Sequence, residues 1–370
     1  MWRCRECYRG WQRWSDGAGS SSFANGEGSV SIGDDATTSG SGAVAIGGDL
    51  DGGINVGALA LGAGAIAIGA TPAAMGIDTI AIGTGASAQN ITGSGATDDN
   101  IAIGSLAQAT GIHVVSLGGD SSATGVGATA LGWNADATAN NTLAVGNSAQ
   151  AIATAATAIG RQAVGGGANA VAVGFGATTA DGGSTAVGAS SVASGGTSSA
   201  FGTAASATGT SSISIGAQST ATVLRATAIG FSADATAAGA LAIGANAQAT
   251  AASSIAIGDS ASTGAFTNSV ALGANTTATA ANQVYVGGRT IGGVANGVAA
   301  TDAVNVSQLT AATAGTLAAI SSLDTRVGTL EALAVDFDIG STGSIAKCRR
   351  RGQSPRHCRA RHSCRASRST

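Results

Sequence analysis

Residues 100–132 read NIAIGSLAQATGIHVVSLGGDSSATGVGATALG, and within them glycine follows a short apolar run at Gly104, Gly118 and Gly132. The same fourteen-residue spacing continues without interruption through Gly146, Gly160, Gly174, Gly188, Gly202, Gly216, Gly230 and Gly244 to Gly258. A short fixed period is typical of stacked coils rather than of one globular core. The stretch therefore predicts a solenoid.

The columns of the repeat predict two strands in each period. The residue before each glycine is apolar, the one before that is Ala or Ser, and the third is β-branched or Leu except at Ser199. Alternation of this kind, closed by glycine, indicates a short strand. A second alternation follows each glycine, with small residues such as Ala107 and Ala109 between polar ones. We therefore expect each period to run strand, turn, strand, turn.

A coil of fourteen residues is narrow, so we expect only Ala, Ser and Gly to fit inside it. The Val/Ile columns must then point outward on one face, and the Thr/Gln/Asp columns on the other. Soluble monomers rarely expose a continuous apolar stripe of this length, and a closed symmetric assembly would bury it. We predict that the contact between copies is formed by Ile103, Leu117, Leu131, Val145, Ile159, Val173, Ile215, Ile229, Ile243 and Ile257.

The composition favours one elongated array. With 59 glycines, 10% charged residues and 3% aromatic residues, the chain lacks the material for an ordinary globular core. Collagen is excluded, because there are only 2 prolines and glycine shows no period of three. Most of the Lys and Arg lie in residues 1–14 and 346–370, so the body between them is strongly acidic. This argues against nucleic acid or an anionic membrane as a partner.

The two ends differ from the body. All five cysteines lie there, at Cys4, Cys7, Cys348, Cys358 and Cys364. The Cys4-x-x-Cys7 pair could be half of a metal or redox site, but a shifted reading frame or a mis-set gene boundary accounts for both ends more simply. Residues 1–14 lack the apolar core of a secretory signal. We expect residues 1–24 to be atypical and residues 339–370 to be an aberrant, disordered Arg/Cys-rich tail.

Between residues 29 and 104 the repeat is irregular. Its copies end at Gly33, Gly47, Gly62, Gly69, Gly83 and Gly104. The unequal intervals suggest half-turn changes and loop insertions, and residues 84–99 are interpreted as one such loop. After Gly258, two further copies end at Gly273 and Gly287.

From Val306 the period changes to seven. The first core position holds Val306, Thr313, Ile320, Val327 and Ala334, and the second holds Leu309, Thr316, Leu323, Leu330 and Phe337. This is the pattern of a coiled coil. We expect its strongest core layers at Ile320, Leu323, Val327 and Leu330, and a helix N-cap at Asp302. The alternative is a single amphipathic helix packed on the solenoid.

The repeated (Ser/Ala)-Val-Ala-Ile-Gly pentads, followed by residues 289–309 and then by a coiled coil, resemble the trimeric autotransporter adhesins with a YadA-like head, neck and stalk. Residues 289–309 read RTIGGVANGVAATDAVNVSQL and look like the neck of that family. Gly293 departs from the pattern, since Asn is usual there. The resemblance assigns the neck to Arg289, Ile291, Val294, Gly297, Asp302, Asn305, Gln308 and Leu309.

The resemblance implies a left-handed parallel β-roll, three-fold assembly and display at the cell surface, on the outer membrane. It implies a head over residues 25–281, a neck over 282–309 and a stalk over 303–338. The implied function is a virulence-associated adhesin whose homotrimer binds host matrix proteins or cell-surface receptors, with no membrane contact by the body itself. We see neither the family's secretory signal nor its barrel anchor, and the reading-frame hypothesis would explain both.

No catalytic constellation is visible, so we expect no enzyme, cofactor or metal site. The body contains one histidine, His113, and no cysteine, which excludes the usual nucleophile–base pairs and Cys/His metal sites. The sequence leaves two other functions open. One is a structural surface fibre without a ligand. The other is an ice-binding solenoid, suggested by a column of threonines that includes Thr110, Thr124 and Thr138, although its neighbouring column is mixed.

Overall fold

The computed structural model describes residues 16–19, 21–48, 57–89 and 98–333. The chain divides into two compact units, Met1–Arg289 and Thr290–Thr370, which are described separately. The predictions made for residues 1–15 and 334–370, including all five cysteines, Ala334 and Phe337, concern residues outside this part.

The first unit is a parallel β-solenoid in which each coil contributes one strand to each of two sheets. Sheet A has 19 strands and sheet B has 16. The strands of sheet A are Asp16–Ala18, Val30–Ile32, Val44–Ile46, Ile66–Ile68, Ile80–Ile82, Ile101–Ile103, Val115–Leu117, Thr129–Leu131, Leu143–Val145, Thr157–Ile159, Val171–Val173, Thr185–Val187, Ser199–Phe201, Ile213–Ile215, Thr227–Ile229, Leu241–Ile243, Ile255–Ile257, Val270–Leu272 and Val284–Tyr285.

Sheet B consists mainly of two-residue strands. They are Phe23–Ala24, Thr37–Thr38, Leu59–Ala60, Ala73–Ala74, Ser87–Gln89, Gln108–Thr110, Ser122–Ala123, Asp136–Ala137, Gln150–Ala151, Val164–Gly165, Thr178–Thr179, Val192–Ala193, Ser206–Ala207, Thr220–Ala221, Asp234–Ala235 and Gln248–Ala249. Single bridges through Ser262 to Thr277 continue the ladder beyond Gln248. Strand, turn, strand, turn is therefore the unit of this solenoid, as predicted.

The interior is built mainly from alanine. Ala130 of sheet A and Ala137 of sheet B are both fully buried, and so are their equivalents in most coils. Coils are joined by backbone hydrogen bonds, as between the Thr129 N–H and the Thr142 carbonyl at 2.9 Å. A small side chain at each inward position lets the two sheets approach closely enough to exclude water. The core of the roll is thus complete within one chain.

Gly118 illustrates why glycine ends each strand of sheet A. Its φ of +139° is unfavourable for an L side chain, and a Cβ there would lie 2.3 Å from the Gly132 carbonyl oxygen of the next coil. Two residues after such a glycine, the turn contains a residue in the left-handed region, as where Asn134 follows Gly132 with φ 52°. Among residues with a side chain, Asn and Asp tolerate this conformation best, although Leu106 also adopts it with φ 58°.

The expectation that only Ala, Ser and Gly fit inside was wrong at certain positions. Thr179 is buried within a strand of sheet B, and Val114, Thr142 and Asn100 are buried one residue before a strand of sheet A, at the corner of the coil. Polar side chains there satisfy backbone groups. The Thr142 hydroxyl donates to the Ala139 carbonyl at 2.6 Å, and the Val114 N–H donates to Asn100 Oδ1 at 2.9 Å.

The irregular region also differs from the simple pentad interpretation. The Ala58–Gly62 copy is not a sheet A strand, because Leu59–Ala60 pairs with Thr37–Thr38 in sheet B. Sheet A instead pairs Ile46 with Ile68, so the additional residues of this coil lie between its two strands. Part of the loop predicted for residues 84–99 is instead a strand, because Ser87–Gln89 pairs with Gln108–Thr110 in sheet B. Residues 90–97 lie outside the described residues.

The described part of the second unit contains one helix, Val306–Leu333, preceded by a segment without regular secondary structure. Its N-cap is Asn305 rather than the predicted Asp302. The Gln308 N–H donates to Asn305 Oδ1 at 3.0 Å, and the Asn305 N–H donates back to Gln308 Oε1 at 3.3 Å. This reciprocal pair is a capping box. Asn305 and Asp302 are both favourable N-caps by residue type. The backbone path determines which of them begins the helix.

Candidate functional site

The outward side of sheet A carries the predicted contact stripe. Each residue of the stripe ends a strand whose middle residue points into the alanine core, so its own side chain points away from it. Ile215 retains 40% of its exposure, while Leu131 and Ile243 are half-buried by neighbouring coils. Val187 and Phe201 lie in register between Val173 and Ile215. The ten predicted residues and these two therefore form a continuous apolar ladder on the surface of a single chain.

The outward side of sheet B is mostly polar. Burial raises the pKa of the Asp136 and Asp234 carboxyl groups, because the surrounding protein disfavours the charged form. The threonine column of this face is interrupted by Ile152, Gly166 and Ala180. A flat, ranked threonine surface of the ice-binding type is therefore not formed.

Arg289 covers the last coil of the roll. Its Nη1 donates to Thr276 Oγ1 at 2.8 Å and to the Val286 carbonyl at 3.0 Å, and its Nη2 donates to the Ala274 carbonyl. A Cβ on Gly287 would lie 2.7 Å from Nη1, so glycine leaves the space for the guanidinium. These contacts satisfy backbone carbonyls where the stacked coils end.

A second network joins four of the remaining predicted neck residues, Val294, Gly297, Asn305 and Gln308. Gln308 and Gly297 are joined twice, by Gln308 Nε2 donating to the Gly297 carbonyl and by the Gly297 N–H donating to Gln308 Oε1, each at 2.9 Å. Asn305 Nδ2 donates to the Val294 carbonyl at 3.0 Å. This network fixes the segment before the helix against the first helical turn.

Asp302 closes a turn just before the helix. Its Oδ2 accepts hydrogen bonds from the backbone N–H groups of Ala299 and Val298, at 2.8 and 2.9 Å. These bonds stabilise the carboxylate and hold the pKa of Asp302 below its ordinary value.

Two of the predicted neck residues take no part in these networks. Ile291 and Leu309 are mostly exposed on the single chain. Conversely, sequence reasoning missed Thr276 and Asn296, whose side chains contact Arg289 and Asn305 respectively. No short spacing could have identified Thr276, because its contact joins different coils of the structure.

The stalk helix has no core of its own. Ile320 and Leu323 retain 59% and 57% of their exposure, and Val327 and Leu330 are also exposed. The hydroxyl groups of threonines in the weaker layers donate hydrogen bonds to backbone carbonyls of the same helix, as where Thr313 Oγ1 donates to the Leu309 carbonyl at 2.8 Å. A helix that exposes such a seam requires partners to bury it.

The described residues contain no cluster of His, Cys, Asp and Glu that could hold a metal ion. His113 lies in a turn, with its Nδ1 3.4 Å from Asp99 Oδ2 and both side chains largely exposed. Within the same residues, no helix is long and apolar enough to cross a membrane.

Comparisons with known proteins agree with this architecture. The coiled stalk of trimeric autotransporter adhesins matches residues 290–332. The YadA head domain repeat matches residues 24–49, 115–135, 123–149, 137–163, 166–191, 193–219, 207–233, 235–261 and 267–282. Together the two descriptions cover more than half of the chain. The comparison with curated proteins gave no match.

Among solved structures, the chain is similar to the crystal structure of the collagen-binding domain of the Yersinia adhesin YadA. The two are 37% identical over 39% of this chain and 82% of that chain, with a TM-score of 0.38. The family is associated with the cell surface and the outer membrane. The stalk match assigns the helix to a trimeric coiled coil rather than to a lone amphipathic helix. The chain belongs to the trimeric autotransporter adhesins, and is an adhesin with a YadA-like β-roll head and a coiled-coil stalk.

Proposed function

We propose that this trimer attaches to host extracellular matrix through the outward face of sheet B, while the outward face of sheet A joins the three heads. The contrast between the two faces carries this proposal. Sheet A presents an apolar ladder that includes Ile215 and Ile243, whereas sheet B presents mainly Gln, Ser, Thr and Asp. A face that is both polar and repetitive suits contact with a partner in water.

The ten stripe residues from Ile103 to Ile257 are proposed as the head interface, and Ile320, Leu323, Val327 and Leu330 as the stalk core. Each large aliphatic side chain that becomes fully buried contributes about 1.5–3 kcal/mol. We propose domain limits of residues 25–281 for the head, 282–309 for the neck and 303–338 for the stalk. The contacts of Arg289 and Asn305 support a neck between head and stalk.

Attachment would be multivalent. Each chain repeats nearly the same outward pattern over many coils, and three chains present it side by side. Weak contacts of this kind combine into strong attachment when several engage at once. We further propose that the chain is displayed on the outer membrane, as its family is, and that attachment contributes to virulence.

The test uses the full chain as a trimer, with its mass measured by light scattering. Its binding to immobilised collagen, the ligand named for the Yersinia domain, and to other matrix proteins is then measured. Thr222→Glu on sheet B should weaken binding and keep the trimer, whereas Ile243→Glu on sheet A should disrupt the trimer. Failure of the wild-type trimer to bind any matrix protein or host cell would favour a structural fibre.

A further inference from the structure

Two places on the roll share an unusual local sequence. Gly132-Trp-Asn-Ala-Asp-Ala-Thr-Ala139 and Gly230-Phe-Ser-Ala-Asp-Ala-Thr-Ala237 each place an aromatic residue in the turn and an aspartate at the start of the next sheet B strand. The two aspartates occupy the same column of sheet B, seven coils apart. They are the only charged residues in the strands of residues 98–289.

Both aromatic residues are exposed. Trp133 and Phe231 retain 55% and 54% of their exposure. A Cβ on Gly119 would lie 3.3 Å from Trp133 Cδ1, so the indole lies over the glycine of the preceding coil. The equivalent residue before Phe231 is Ala217, which is also small. Neither ring has a cation over it among the described residues.

Both carboxylates are half-buried and unpaired. Asp136 lies between Ser122 and Gln150 in its column, and Asp234 lies between Thr220 and Gln248. Neither forms an ion pair or a hydrogen bond through its carboxylate within the described residues. A partly desolvated carboxylate without a partner is held at a free-energy cost, and a cation from another molecule would offset that cost.

A third aromatic in the same turn column indicates which cation fits. Phe175 has no aspartate after it, because Thr178 occupies that position. Instead Arg161, one coil earlier, places its guanidinium 4.2 Å from the centre of the Phe175 ring. Arg161 occupies the place that Gly119 occupies for Trp133 and Ala217 for Phe231. The roll thus contains one internally filled copy and two open copies that carry a carboxylate.

We propose that Trp133 with Asp136, and Phe231 with Asp234, are two arginine-binding sites that take side chains of an extended, basic segment of the matrix partner. A guanidinium over an aromatic face, next to a carboxylate, gains both a cation–π and a charge-assisted interaction. The acidic body of the roll agrees with a basic partner. This inference rests on the proposed adhesive function and names the chemistry that the adhesive face recognises.

The spacing of the two sites sets the form of the probe. Seven strand spacings of ~4.8 Å separate them by about 34 Å, which an extended peptide spans in about ten residues. The probe is therefore an immobilised Gly/Ser-rich peptide with two arginines ten residues apart. Matched surfaces carry the same peptide with both arginines replaced by glutamine, or a neutral oligosaccharide.

The test compares variants of the full-length trimer on these surfaces. Wild type should bind the arginine peptide and not the glutamine peptide, and added salt should weaken the binding. Asp136→Asn with Asp234→Asn should reduce the binding at least tenfold. Asp120→Asn with Asp181→Asn removes the same charge from turns of the roll and should stay within twofold of wild type. Trp133→Ala with Phe231→Ala, at two exposed positions, should also lose at least tenfold.

The proposal is overturned if the Asp136/Asp234 variant binds as well as the charge-matched control. It is also overturned if wild type binds only the neutral oligosaccharide, since the sites would then recognise sugars. Failure of the adhesive function is a separate result, in which wild type binds no matrix protein. The comparison of the arginine and glutamine peptides still shows whether the two arginine sites exist. Conversely, if the Asp136/Asp234 variant binds matrix proteins as well as wild type does, the arginine sites are rejected while the adhesive function stands.

Discussion

Within one chain, the β-roll encloses its own core, whereas the stalk helix encloses none. Ala130 and its equivalents are fully buried between sheets A and B, while Ile320 and Leu323 of the stalk are more than half exposed. The roll is held by backbone ladders from coil to coil, so its side chains only need to be small. The apolar seam of the stalk helix is exposed on a single chain, so its stability must come from the seam that three chains share. Head and stalk therefore depend on the trimer to different degrees.

The dependence of the roll on its own backbone packing is tested most severely at a glycine where two neighbouring coils approach closely. Gly118→Ala introduces a Cβ 2.3 Å from the Gly132 carbonyl and fixes an unfavourable φ. We expect at least ~3 kcal/mol of destabilisation per chain, measured by denaturant unfolding of the roll. The control is Gly176→Asn, at a left-handed position where the nearest atom to a new Cβ is Ser190 Oγ at 3.9 Å. It should change stability by less than ~0.5 kcal/mol, and equal effects of the two variants would contradict the stacking argument.

A charge in the stalk seam should separate the two regions. Leu323→Asp places three carboxylates at the proposed stalk axis and should destabilise the stalk by about 3 kcal/mol or more. Hydrogen exchange measured by mass spectrometry should show lost protection over residues 306–333 and unchanged protection of the roll. Ser322→Asp adds the same charge beside the seam and should leave the stalk protected. Full protection in the Leu323 variant would mean that the seam is not the core.

Two buried serines test how tightly the roll must satisfy its polar groups. Ser198 Oγ and Ser212 Oγ are buried and have no hydrogen-bond partner among the described residues, whereas Ser184 Oγ, in the same column, donates to the Asp181 carbonyl at 2.6 Å. Ser198→Ala should therefore stabilise the roll by up to about 1 kcal/mol, and Ser184→Ala should destabilise it by a similar amount. Denaturant midpoints compare them directly, and a loss of stability in both variants would show that Ser198 has a partner.

The proposed neck, residues 282–309, lies between the two regions in sequence and should respond to pH. Hydrogen bonds from Ala299 and Val298 lower the folded-state pKa of Asp302, so its contribution to stability is present above the ordinary aspartate pKa. That contribution is lost as the pH falls through the lowered folded-state pKa. Asp302→Asn should thus weaken the protection of the neck slightly at neutral pH and have no effect in strong acid. Asp324→Asn, on the stalk helix, serves as the control. A pH-independent effect would assign Asp302 a purely steric role.

Much of this architecture follows from the sequence, because a fixed period and small inward residues leave few alternatives. The two strands per coil, the outward stripe and the seam were all predictable from side-chain size and spacing. The sheet to which Leu59–Ala60 belongs was not predictable. Strands of both sheets place a small residue inward, so the local sequence does not distinguish a sheet A strand from a sheet B strand half a turn away. The cap at Asn305 and the Arg289–Thr276 contact depend on the backbone path, which no local pattern specifies. The Trp133/Asp136 and Phe231/Asp234 copies are visible in the sequence. Only the structure shows that both aromatic rings are exposed and that Arg161 lies over the equivalent ring of Phe175.

The smallest expected effect concerns the two carboxylates on sheet B, where binding and stability should oppose each other. Burial raises the folded-state pKa of Asp136 and Asp234, so the roll loses stability as the pH rises from the ordinary aspartate pKa through the raised one. Asp136→Asn with Asp234→Asn removes this cost, and it should raise the melting temperature slightly at neutral pH but not in acid. Asp120→Asn with Asp181→Asn is the matched control. An arginine peptide should stabilise wild type and leave the Asp136/Asp234 variant unchanged, because only the carboxylates gain a partner. A melting temperature lowered by the double substitution would mean that these carboxylates already hold the roll together.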